Sequence, residues 1–299
     1  GAVHPVDPSI VVGTMGRGVV VSTTGPAGSY AIADNYGLEA VTIKKISRTT
    51  TKGTFYLATR AGLAYTTAYT DDAVAGYDKW NAPYGQFPVP NVGDDAGISA
   101  VAIDPEDSLH VIAGYSNGFA LTTTGVTGFN NVQPAGWNTG GSDPSVSDIL
   151  FVNTNVVLAV TGGDNQGASG KGNIWRSSDG GSTWTTVTPS GFSCGNTLAK
   201  GTISGSHVIY CGTGLSGSMA DPGTLWKSTD EGATWTMVSY GPTATNNPAV
   251  SQLPIYDIAV DPRGTDTLYL ACGSNLDYAF VKSTDGGATF TSINAGGEG

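Results

Sequence analysis

The chain has 299 residues, a net charge of −11 and only 12% charged residues, which sets it against nucleic-acid phosphates and anionic membrane surfaces as partners. With 39% hydrophobic residues and 44 glycines it is not a disordered composition, and it suits many short strands joined by tight turns. No apolar run approaches the roughly 18 residues of a membrane-spanning helix.

Taken in chain order, the apolar runs fall into six units. The first, over residues 1–34, has short runs at 2–6, 10–13, 19–22 and 30–32. The second, 35–86, starts near Leu38 and passes through a long insertion before Trp80. The third, 95–134, has runs at 99–103, 109–113, 119–122 and 129–132, with Asp104-Pro105 as its first turn. The fourth, 145–189, starts near Val146, and the fifth, 196–241, near Thr197. The sixth, 252–294, is clearest: 255–260 alternates, residues 261–264 turn, and runs follow at 267–272, 278–283 and 290–293. A four-stranded unit of this size cannot bury both faces of its sheet alone, so the units must stack. The expected fold is all-β: a single β-propeller domain over 1–299, with six blades of four antiparallel strands. A seventh blade from outside the 299 residues is the alternative count.

Three octapeptides punctuate the later units: Ser177-Ser178-Asp179-Gly180-Gly181-Ser182-Thr183-Trp184, Ser228-Thr229-Asp230-Glu231-Gly232-Ala233-Thr234-Trp235, and Ser283-Thr284-Asp285-Gly286-Gly287-Ala288-Thr289-Phe290. Each Asp is expected to accept backbone N–H bonds within its own turn, with glycine permitting positive φ and the aromatic packing beneath. Asp179, Asp230 and Asp285 therefore read as structural staples. Thr122-Thr123-Thr124-Gly125 and Ser22-Thr23-Thr24-Gly25 are decayed copies, with Thr in place of Asp.

The pattern S-x-D-x-G-x-T-[WF] resembles the Asp box of the sialidase-like, BNR-repeat propellers. A sialidase resemblance implies three Arg for a substrate carboxylate and a Tyr–Glu nucleophile pair. Of the five Arg here, Arg48 and Arg263 fall in short turns and Arg176 in a strand; only Arg17 and Arg60 reach the end with long connections. Of the four Glu, only Glu39 is suitably placed. The segment Phe55-Tyr56-Leu57-Ala58-Thr59-Arg60-Ala61-Gly62-Leu63-Ala64-Tyr65 resembles the L-Y-x-x-T-D-x-G-G-x-Y segment of the two-propeller xyloglucanases. That resemblance implies a catalytic Asp, but Arg60 occupies the position, and Met15 the corresponding place in the first unit. Hydrolysis of a glycosidic bond needs two carboxylates flanking it. The chain thus resembles this superfamily without the catalytic residues of either branch, and no catalytic residue is assigned. A third relative, the photosystem II assembly propeller, implies an Arg-rich patch that five scattered Arg do not form.

Long connections gather at one end of the units: 85–97, 133–145, 162–172, 214–223 and 241–253. Loops on a rigid scaffold are where binding residues concentrate. Arg60, Asp94, Asp95, Tyr115, Trp137, Asp164, Asn165 and Tyr278 are the candidate binding residues there, aromatics for apolar sugar or protein faces and polar groups for hydroxyls. Trp175, Trp184, Trp226 and Trp235 read as core. Cys194 and Cys211 flank a hairpin, leaving a disulfide and buried thiols as alternatives. No C-x-x-C pair or histidine cluster is present, and no metal or cofactor is expected. The chain begins at Gly1, which reads as a mature or excised polypeptide. The expectation is a secreted or surface-displayed propeller that binds a glycan or a protein surface, further domains or copies of itself. A sialidase-like or xyloglucanase-like glycoside hydrolase is the alternative.

Overall fold

The computed structural model describes residues 2–3, 10–13, 19–22, 24, 29–32, 43–48, 54–59, 62–66, 80–81, 97–116, 118–137, 145–162, 172–215, 223–238, 253–273 and 278–293. The short Val-, Ile- and aromatic-rich runs fold as strands because their branched side chains suit a pleated surface, and glycine-containing turns interrupt them before a helix can form. Among the described residues there are six antiparallel sheets and no helix; none is therefore long and apolar enough to cross a membrane.

The residues divide into two compact units, Gly1–Trp137 and Asn138–Gly299. In the first unit, the first sheet joins β1 (Ala2–Val3), β2 (Ile10–Gly13), β3 (Val19–Ser22) and β4 (Ala31–Ile32) in chain order. The second sheet has three strands, β5 (Ile43–Arg48), β6 (Phe55–Thr59) and β7 (Gly62–Thr66). The third joins β8 (Ala100–Ile103), β9 (Val111–Tyr115), β10 (Gly118–Thr122) and β11 (Asn130–Val132).

In the second unit, the fourth sheet joins β12 (Val146–Phe151), β13 (Val157–Thr161), β14 (Ile174–Ser177) and β15 (Thr185–Thr186). The fifth joins β16 (Gly195–Ile203), β17 (Ser206–Thr213), β18 (Leu225–Ser228) and β19 (Thr236–Val238), and the sixth β20 (Ile255–Val260), β21 (Leu268–Gly273), β22 (Tyr278–Ser283) and β23 (Thr291–Ser292). The four-run reading of the sequence thus holds for five of the six sheets. The second departs from it: its fourth edge is a single antiparallel bridge, Tyr65 to Asn81. Trp80, beside that bridge, is buried with Ile43, Phe55 and Leu57, so one indole anchors the return of the long insertion.

Core lies between consecutive sheets of each unit. In the first unit, Tyr56, Ala58 and Leu63 of the second sheet pack with Val101, Val111, Ala113 and Ala120 of the third. In the second, Leu158, Val160 and Ile174 of the fourth sheet pack with Leu198, Ile209, Cys211 and Trp226 of the fifth. Tyr210 and Leu225 of the fifth pack with Ile255, Leu268, Leu270 and Val281 of the sixth. Central strands buried on both faces, such as Val157–Thr161, follow directly from this stacking. The fourth strands start later than the sequence suggests. Phe129, Trp184, Trp235 and Phe290 are buried just before them, because each ring turns down into the core before pairing resumes.

Candidate functional site

In an up-and-down sheet the first and third connections share one end, and the second connection and the link to the next sheet share the other. The three aspartate turns lie at the first end. Asp179 Oδ1 accepts the Thr183 N–H at 2.8 Å and the Ser177 hydroxyl at 2.8 Å, while Oδ2 accepts the Thr183 hydroxyl at 2.6 Å. Ser177 Oγ in turn accepts the Gly181 N–H at 2.8 Å. The turn at Asp230 repeats this with Thr234 at 2.9 and 2.6 Å, and that at Asp285 with Thr289 at 2.9 and 2.5 Å. Trp184 and Trp235 donate their indole N–H to Gly181 and Gly232 carbonyls.

Burial pushes the Asp179 and Asp230 carboxyls up, but the Thr and Ser donors together outweigh it and hold both below the ordinary value of 3.8. At Asp285 the Thr289 hydroxyl and N–H come first among the causes, and the carboxyl falls to about 2. Carboxylates so committed are poor general acids near neutral pH. In the third sheet the decayed copy keeps part of the staple: Thr122 and Thr124 hydroxyls both donate to the Thr127 carbonyl, at 2.5 and 2.8 Å.

At the other end, two of the sequence candidates are described in full, and the structure corrects both. Tyr115 ends β9 fully buried, and its hydroxyl donates to Asn131 Oδ1. Burial raises its pKa. Trp137 is buried too: its indole N–H donates to the Ser116 carbonyl at 3.2 Å and its ring meets Phe119 edge-on, centroids 5.4 Å apart. Both rings thus come to one end of the third sheet as packing, with no face left for a sugar to stack on. Their environment depends on the neighbouring sheet and on the turn at Pro134, neither of which is visible in local spacing. Tyr278 opens β22 opposite Gly273, and its side chain is outside the described residues. Arg60, Asp94, Asp95, Asp164 and Asn165 also lie outside them.

Cys194, Cys211 and Cys272 are free, buried thiols. The Cys194–Cys211 disulfide is not formed, and register explains why. Leu198 stands opposite Cys211, whereas the Cys194 carbonyl accepts the Gly214 N–H. Three rungs at ~3.3 Å each separate the two sulfurs' strand positions, beyond the ~7 Å a disulfide spans. Burial first, and Asp148 second, raise the Cys211 pKa well above the ordinary thiol value, so this thiol is unreactive. The four tryptophans read as core are all buried. Among the described residues no three His, Cys, Asp or Glu side chains converge as a metal site would require.

Sequence reading missed Asp148. It sits in β12 just past a register shift, buried, with Oδ1 accepting the Ile149 N–H at 2.9 Å and Oδ2 the Leu198 N–H of the next sheet at 2.9 Å. An acid inside an apolar strand, Val146-Ser147-Asp148-Ile149, was the available signal, and Ile255-Tyr256-Asp257-Ile258 repeats it. A second buried pair, His110 Nδ1 and Asp104 Oδ2 at 3.2 Å, closes the first turn of the third sheet.

Stacked four-stranded up-and-down sheets with a stapled turn define the class of fold, the β-propeller, and solved structures of that class match it. A GH74 enzyme from Niastella koreensis superposes with a TM-score of 0.67 at 17% identity, covering 97% of this chain and 44% of its own. The GH74 xyloglucanase from Xanthomonas campestris gives 0.64 at 17%, covering 98% and 44%. The extracellular domain of a hybrid two-component system from B. thetaiotaomicron gives 0.58 at 13%, covering 91% and 31%. In sequence, a xyloglucanase from Paenibacillus sp. is 29% identical over 180 residues, 52% of this chain. No family model matches. The chain spans 16% of that xyloglucanase and less than half of each of these solved chains.

Proposed function

We propose that this chain is an Asp-box propeller of a secreted or surface-displayed protein, and that it holds a plant-type β-glucan, such as xyloglucan, without cleaving it. The observation that carries the reading is the 29% identity over 180 residues to an enzyme named for xyloglucan. Binding rather than hydrolysis follows from Arg60, which stands where the resembling segment would have its catalytic Asp. One missing carboxylate removes the acid/base pair that cleavage needs. The extracellular domain among the structural neighbours supports the location.

Isothermal titration with xyloglucan oligosaccharides, run beside a reducing-sugar release assay, tests this. Binding with no release is expected, and an unrelated protein ligand or a second copy of the chain becomes the better partner if no sugar binds. The second reading, part of a glycoside hydrolase, is favoured by the 16% coverage of the xyloglucanase, since the missing carboxylate would then come from elsewhere in a longer protein. Release by a longer polypeptide that contains these residues, with none by the 299-residue chain alone, would establish that reading instead.

A further inference from the structure

In each sheet of the second unit a register shift leaves one residue of the first strand without a partner on the second. These residues are Ser147 of β12, between Val146 and Asp148; Asn196 of β16, between Gly195 and Thr197; and Tyr256 of β20, between Ile255 and Asp257. The three positions are equivalent. Val146, Gly195 and Ile255 just before them are buried. One residue further back, the Ser145, Cys194 and Pro254 carbonyls accept the Gly162, Gly214 and Gly273 N–H. Those glycines stand where the second strands give way to the second connections, so the bulges lie at the end of the sheets where the long connections gather. β16 touches β12 on one side and β20 on the other, which puts the three positions on adjacent strands.

A bulge re-aims the side chain of its extra residue. Ile255 and Ile258 pack in the core between the fifth and sixth sheets, and Tyr256 between them is not part of that core. Asn196 is held at two points: its Nδ2 donates to the Gly214 carbonyl at 2.8 Å and to the Ile255 carbonyl, next to Tyr256, at 3.1 Å. Both amide hydrogens are thereby used, and Oδ1 is left as an acceptor of fixed direction with no partner among the described residues. An acceptor locked in place by its own amide hydrogens binds without a further ordering cost. None of the three bulge side chains is charged.

We propose that Ser147, Asn196 and Tyr256 form one subsite for a neutral glycan. The proposal rests on the glycan-binding reading above and narrows it to these residues and to uncharged sugars. Asn196 Oδ1 accepts a sugar hydroxyl, the Tyr256 ring lies against an apolar sugar face, and the Ser147 hydroxyl extends the row by one sheet. A sialoside brings a carboxylate for which the row holds no cation.

Nuclear magnetic resonance on the isotope-labelled 299-residue chain tests this, with a xyloglucan oligosaccharide and sialyllactose as probes. The side-chain amide signals of Asn196 are expected to shift in step with binding of the xyloglucan oligosaccharide and to stay in place with sialyllactose, a readout that needs no variant. Tyr256→Ala is expected to weaken binding about 10-fold, Tyr256→Phe to restore it to within about 3-fold because the ring makes the contact, and Ser147→Ala to weaken it about 5-fold. If the xyloglucan oligosaccharide binds but the Asn196 signals do not move, or either alanine variant binds as the parent does, the subsite is overturned and the glycan-binding reading stands. Equal shifts with sialyllactose overturn the restriction to neutral sugars. No binding of either sugar by the parent chain overturns both the subsite and the reading beneath it.

Discussion

Asp179, Asp230 and Asp285 show how far eight residues can determine their own structure. Every partner of each carboxylate lies within four positions of it, so the staple was legible from spacing alone. Asp230→Ala removes acceptors for the Thr234 N–H, the Thr234 hydroxyl and the Ser228 hydroxyl. Because the turn is solvent-exposed, the expected cost is about 1–2 kcal/mol, read from the denaturation midpoint, with ligand affinity unchanged. The lowered carboxyls also give a pH signature. A group whose pKa is depressed on folding stabilises the fold above its unfolded value and loses that contribution as pH falls through the folded one. All three therefore stabilise the fold above the ordinary carboxyl value of 3.8 and lose their share below it, Asp285 as pH falls toward about 2. Urea midpoints between pH 7 and pH 2.5 check this, and Asp285→Asn is expected to flatten the lowest part of the curve. Tyr115, Trp137 and Cys194 were less legible for the same physical reason: burial and register depend on strands far away in sequence.

At the scale of the sheet, alternation and turn residues located most strands to within two residues, as at Ile10–Gly13, Ile255–Val260 and Tyr278–Ser283. What they did not reveal was the register shift near the start of the first strand, shared by the second, fourth, fifth and sixth sheets. That shift places Asp148 toward the next sheet, where its carboxyl satisfies main-chain N–H groups of two sheets at once. Asp148→Ala leaves the buried Leu198 N–H without its acceptor and is expected to cost about 2–3 kcal/mol, more than any aspartate-turn variant. Hydrogen exchange at Leu198 should rise with it. Glycine at the same interface is set by contact as well as by backbone. A Cβ on Gly232 would stand 2.6 Å from the Leu158 side chain at a φ of +79°, while one on Gly191, φ +84°, meets nothing within 4 Å. Gly232→Ala should therefore lower the melting temperature by clearly more than Gly191→Ala, the difference measuring the crowding between sheets four and five.

For the whole molecule, composition and repeat pattern were enough for an all-β propeller, because the signal is spread over every unit and survives the loss of any one. The candidate binding residues were not recoverable in this way. They come from connections whose sequences do not repeat, and of the eight named only Tyr115 and Trp137 have described side chains, both buried. One feature of the sheet contacts reaches beyond this chain. Arg176 and Lys227 grip main-chain carbonyls of the following sheet, and Asp148 grips a main-chain N–H. A backbone group is offered by any residue but proline on the donor side, so the gripped positions are free to be Glu231 in one sheet and Gly286 in the next. Docking that ignores side-chain identity lets neighbouring repeats drift apart, be duplicated or be exchanged while still recognising one another, and a lineage built on it can renew its outer loops without renegotiating its joints.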